Sequence, residues 1–303
     1  MNDKAYPAIK NSILLCLLFL GVQIGLGLII GILQFFFMET MNSSLSRLLN
    51  NLGSVAAFIL VLLIGFKKTK RSFNDVFKLN KVALDQWVAT IIFMFGFIIV
   101  SSELDNLLNF VLPMPEIFRS VFDSLMVKEA LVLSILYVGI IPAISEELMF
   151  RGLILDGLQR NYSSRKAIVV SALLFGLIHL NPWQALSAFL IGLVSAWICI
   201  KTNSILLPMF IHFFNNTLST LAVRYGDVIQ IRGFSSSISE WQPGQFQPLW
   251  FDGLGIVLTV LGIYLLLRSF VKHKQYSAEP AVELTAESTT EPAAEPKSDT
   301  TEE

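Results

Sequence analysis

The chain has 303 residues, 54% of them hydrophobic and only 15% charged, with a mean hydropathy of +0.64. That composition excludes an ordinary soluble domain and points to a membrane protein. Lys and Arg number 22 against 23 Asp and Glu, a net charge of −1 that offers no basic field for nucleic acid, and the two cysteines, Cys16 and Cys199, lie in apolar runs that suit neither a disulfide framework nor a CxxC site.

A bilayer core about 30 Å thick is crossed by roughly 20 apolar helical residues. Eight stretches approach that length, near 12–38, 52–66, 87–100, 130–150, 167–180, 183–200, 204–223 and 254–271, and they predict an all-α polytopic membrane protein with about eight transmembrane helices. The first is too long in its apolar part for a signal peptide and is expected to stay in the mature protein. Lys and Arg of the connecting segments alternate with this count: fifteen fall on one side, among them Lys67, Lys68, Lys70, Arg71 and Lys78, and five on the other. The basic side is expected to be cytoplasmic, with both termini there; in a bacterial cell the protein would sit in the inner membrane. Beyond residue 275 the composition turns to Ala, Glu, Pro, Thr and Ser. The expected organisation is therefore a transmembrane domain over 1–275 and a disordered, acidic cytoplasmic tail over 276–303.

Ionisable groups within spans are expensive unless paired or solvated, and they mark functional sites by default. His179 and His212 fall within the fifth and seventh apolar stretches, and the fourth carries Ser145, Glu146, Glu147 and Arg151. At about 100° per residue Glu147 and Arg151 share a helix face, whereas Glu146 points away from Arg151. Glu147 is thus the expected partner of Arg151. Glu146, left without its own cation in a low-dielectric pocket, is the kind of carboxylate that serves as a general base. Phe175 and His179 are four residues apart, as are His212 and Asn216, so each pair shares a face. Taken singly, a buried histidine, an amide or an arginine in a span is ordinary helix glue or a snorkelling side chain, and Phe175 is packing. Their concentration on three spans points to one shared site, with Asn215 as a neighbour able to replace Asn216 if the helix is rotated.

Glu146-Glu147-x-x-x-Arg151, then Phe175-x-x-x-His179, then His212-x-x-x-Asn216, in that order on separate helices, resembles the CPBP (Abi) family of intramembrane proteases, which includes the type II CAAX prenyl endopeptidases. The resemblance covers about residues 130–220, the protease-like core. It implies an endopeptidase that cleaves a membrane-associated protein or peptide by means of a water activated by Glu146 with His179. His212 and Asn216 would stabilise the oxyanion, and Glu147, Arg151 and Phe175 would support them. No cofactor is required by that chemistry. The family is also often labelled metalloprotease, and Glu146, His179 and His212 form a candidate three-ligand set for zinc. The alternative is a non-enzymatic protein of the same family type, such as a bacteriocin-immunity or membrane-partner protein, in which these residues only hold helices together. A proton-relaying transporter is disfavoured by the lack of a visible inverted repeat.

Depth sets a further expectation. Counted from the basic loops, Glu146 and Arg151 should lie shallow, His212 about 12 Å in and His179 about 20 Å in. Tilt, or a break at Pro142, Pro182 or Pro208, must close that gap, and the cavity is expected to open towards the basic side.

Overall fold

The computed structural model describes residues 4–37, 43–123, 130–234 and 245–278, and among them it is helical with no strand. The long elements are α1 (Ile9–Phe36), α2 (Ser43–Thr69), α4 (Leu84–Val111), α6 (Leu131–Asn161), α7 (Ser164–Leu177), α8 (Pro182–Thr202), α9 (Leu206–Arg224) and α11 (Leu249–Ala278). Short helices α3 (Phe73–Phe77), α5 (Glu116–Asp123) and α10 (Gly226–Ile229) lie between them. Each of the eight predicted stretches is helical, but only seven helices are long and apolar enough to cross a membrane among the described residues. The exception is α7. Its 14 residues span about 21 Å, short of a bilayer core. The proposed tail lies outside the described residues apart from 276–278, which continue α11.

Local chemistry fixes the ends of these helices. Ser163 caps α7 by accepting from the Lys166 amide, and Asn181 caps α8 by accepting from the Gln184 amide at 2.8 Å, with Pro182 in the first helical position, where its missing N–H costs nothing. The apolar side chains of α1 face outwards along most of its length, as a lipid-facing helix requires. Small residues bring backbones together where helices must touch: a Cβ on Gly96 of α4 would stand 2.6 Å from the Gly255 carbonyl of α11.

The segment between α2 and α4 closes the basic end. Arg71 and Lys78 both pair with the buried Asp156 of α6, and Phe77 lies on Gly152, where a Cβ would meet its ring at 2.5 Å. The Lys78 carbonyl accepts from the Ile205 amide at 3.2 Å and the Asn80 carbonyl from the Ser204 hydroxyl at 2.7 Å. These bonds satisfy donors at the start of α9 that no helix could. Ser204 and Ile205 are fully buried as a result, so α9 begins inside the bundle rather than at its rim.

Candidate active site

The helix carrying both glutamates is not uniform. Pro142 has no N–H for the Val138 carbonyl four residues earlier, and α6 absorbs this with a π turn over Ile135–Ile140, followed by a second over Leu148–Ile154. Asn216 Nδ2 donates to that orphaned Val138 carbonyl at 2.9 Å, so an α9 amide completes the α6 ladder just before the glutamates. Asn215 Nδ2 in turn donates to Asn216 Oδ1 at 3.2 Å.

One turn on, the expected pair is present. Arg151 Nη1 lies 3.0 Å from Glu147 Oε1, with both side chains wholly buried. The approach is misaligned for a hydrogen bond, so the contact rests on charge. Arg151 also donates to the Gly192 carbonyl of α8 at 3.3 Å and stacks its guanidinium 4.5 Å from the Phe175 ring centre. Glu147 Oε1 has a second neighbour in His212 Nδ1 at 3.1 Å. A carboxylate at that nitrogen places the proton on Nδ1 and turns Nε2 towards Glu146, whose Oε2 is 3.9 Å away, beyond hydrogen-bond range. Glu146 Oε2 is buried without a hydrogen-bond partner.

His179 differs from its expected place inside a helix. The last residue of α7 is Leu177, and His179 sits in the turn that follows, ahead of Leu180 at φ +56°. Its Nδ1 stands 2.9 Å from the Phe175 carbonyl, which makes Nδ1 the donor and leaves Nε2 an acceptor. Phe175, fully buried, meets the rings of His179, His212 and Phe150 edge-on at 5.4, 5.6 and 5.1 Å. It is the common wall of the site.

A cavity of about 250 Å³ is lined by Glu146, Ser145 and Tyr137 of α6, by His179, and by residues of α1 and α2. Glu146 and His179 therefore share one chamber. His212 reaches it through Glu146, and Asn216 stands behind, on the α6 backbone. The depth expectation needs correction. Because α6 runs on to Asn161, Glu146 lies about 22 Å from that end, level with His179 about 22 Å along from Ser164. The longer α6 and the inward start of α9 close the gap. Pro208 breaks nothing, since it falls in the first turn of α9. The cavity also lies away from the basic end: Asn51 is about 27 Å from Thr69 along α2, while Met149, Phe150, Leu153 and Ile154 are fully buried beneath the α3 segment.

The candidate zinc set is not gathered in this arrangement: among the described residues no three of His, Cys, Asp and Glu converge on one point.

With this geometry in view, residues 128–218 match the family model described as type II CAAX prenyl endopeptidase Rce1-like. Just under a third of the chain is thus similar to this family. All seven motif residues lie within the matched segment, as do α6 to α8 and most of α9. No curated protein and no solved structure matches the chain. The chain is an integral membrane protein, and the similarity to this protease family is confined to residues 128–218. Motif reading left out the polar cavity residues of α1 and α2, Gln23, Asn51 and Ser54, which lie before the matched segment. Part of their signal was available: Gln23 and Ser54 are polar residues inside apolar stretches, whereas Asn51 stands just ahead of the stretch over 52–66.

Proposed function

We propose that this protein is an intramembrane endopeptidase that hydrolyses a peptide bond in an extended segment of a membrane-associated polypeptide, with Glu146 as general base. The observation that carries the proposal is the cavity shared by Glu146 and His179, set against the buried Glu147–Arg151–His212 cluster in a segment similar to an endopeptidase family.

A water between the Glu146 carboxylate and His179 Nε2 meets two acceptors. Glu146 takes one proton as the oxygen attacks the peptide carbonyl carbon, and returns it to the amine as the C–N bond breaks. With both ring nitrogens protonated, His212 donates one hydrogen to Glu147 and directs the other at the developing oxyanion. Glu146, Glu147, Arg151 and His212 then sum to zero charge, the favourable state for a buried cluster. Asn216 spends one Nδ2 hydrogen on Val138 and keeps a second for the oxyanion. Glu147, Arg151 and Phe175 hold these groups in place. No cofactor enters the scheme. The Lys- and Arg-rich end and both termini face the cytoplasm in this reading.

The test is cleavage of a randomised peptide library by the purified protein in liposomes, read by mass spectrometry. Products from the wild type and none from Glu146→Gln at equal thermal stability are expected. Equal products from both would end the assignment of Glu146, and a folded wild type that cleaves nothing would favour a non-enzymatic role.

A further inference from the structure

The wall facing Glu146 and His179 across the cavity is built by α1 and α2. Phe19 and Gln23 are four residues apart on α1, and Asn51, Ser54, Val55 and Phe58 recur at helical spacing on α2, so one stripe of each helix is turned to the chamber. The stripes are mixed in character. Phe19 and Phe58 pack ring to ring, 4.1 Å between centres, and join the two helices, while Gln23 brings an amide into the apolar stretch of α1, and Asn51 and Ser54 bring polar atoms into the first turns of the α2 span, after Asn50. Such groups are expensive in a membrane helix and need a partner. Ser54 Oγ donates to Gln23 Oε1 at 3.2 Å, which turns the Gln23 amide and leaves its NH₂ unused. The Asn51 side chain has no hydrogen bond to another described residue. Two half-exposed amides thus look into a cavity whose opposite wall holds the candidate base, with one carbonyl oxygen and two NH₂ groups free between them.

From this we infer that Gln23 and Asn51 form a main-chain binding subsite that holds an extended peptide substrate across from Glu146, with Ser54 occupying only the Gln23 carbonyl oxygen. The inference rests on the endopeptidase reading and adds what that reading lacks. A peptide must leave its helix before its carbonyl can be attacked, and away from water every N–H and C=O it frees must find a partner. The Gln23 NH₂ suits a substrate carbonyl, and the Asn51 amide suits one N–H and one C=O, as a neighbouring strand would. A ligand held through its main chain is recognised by shape and extension, so the subsite accepts many sequences. Both residues lie before the endopeptidase-like segment, and so this part of the chain supplies substrate binding while the matched segment supplies chemistry.

The experiment measures binding of a fluorescent pool of randomised decapeptides to the full-length Glu146→Gln protein in detergent micelles, by anisotropy. The near-isosteric double variant Gln23→Met/Asn51→Leu, in the same background, should weaken binding at least about tenfold. A pool methylated at its backbone nitrogens should bind the parent as poorly as the ordinary pool binds the double variant. Ser54→Ala breaks the same α1–α2 hydrogen bond while leaving both amides, and its binding should stay within about threefold of the parent. Melting temperatures and gel filtration check that each variant is folded; if the double does not fold, Asn51→Leu alone is compared with Ser54→Ala and should lose the larger share. Unchanged binding in the folded amide variants, equal binding of the methylated pool, or no binding of either pool to the parent would overturn the subsite. The endopeptidase reading fails separately, if Glu146→Gln cleaves as the wild type does, whatever the amide variants do.

Discussion

Removing the Arg151 charge is the perturbation whose size the structure sets most directly. At 3.0 Å and an effective dielectric of about 20, the gross attraction between Arg151 and Glu147 is about 5.5 kcal/mol. Arg151→Met leaves Glu147 charged and wholly buried, a situation that costs about 3–5 kcal/mol in folded proteins. His212 still faces the same carboxylate oxygen at 3.1 Å, which moves the expectation to the lower end, while the lost stacking on Phe175 moves it up again. A loss near 4 kcal/mol, or a fall in melting temperature on the order of 10 °C, is expected for the detergent-solubilised protein. The double variant Glu147→Gln/Arg151→Met removes both charges and should recover at least about 1.5 kcal/mol relative to the sum of the single losses. The assay is thermal unfolding followed by tryptophan fluorescence over the complete mutant cycle. Single effects that add to within about 0.5 kcal/mol would refute the claim that these charges support each other inside the bundle.

Other substitutions probe the parts around that pair. Asn216→Leu strands the Val138 carbonyl beside Pro142 and should cost about 1–3 kcal/mol in stability, with cleavage reduced by about 10²-fold or more; stability and rate both matching the wild type would remove Asn216 from the site. Gly176→Ala places a methyl group 2.8 Å from the Ala185 carbonyl and 3.3 Å from Phe189 Cβ, which should spread α7 from α8, displace Phe175 and His179, and cost about 1–3 kcal/mol by calorimetry. Zinc chelators, followed by metal analysis of the dialysed protein, should leave the cleavage rate unchanged; loss on chelation with recovery on adding zinc would favour a metal-bound water instead.

How far the sequence carried depended on the range of the physics involved. The Glu147–Arg151 pair follows from one turn of helix, and the eight helical stretches from hydropathy, so both were legible. The true end of α6 was not. Apolar character falters at Arg151 and Gly152, yet the helix continues because Glu147 neutralises Arg151 internally and Gly152 receives Phe77 from the preceding loop. That hidden continuation placed Glu146 deeper than a count from residue 150 allowed. The place of His179 past the end of α7 depends on the turn into Asn181 and Pro182, whose capping pattern was in the sequence but unused. Asn216 could have been linked to Val138 from the four-residue offset to Pro142, though only the tertiary fold says which helix supplies the missing donor.

The measurement closest to the central claim is the single-turnover rate of peptide cleavage by Glu146→Gln against wild type, at matched folding and saturating peptide. Loss of a positioned general base predicts a rate lower by about 10²–10⁴-fold with substrate affinity nearly unchanged. A Glu146→Gln protein that turns over within a few-fold of wild type would contradict the account.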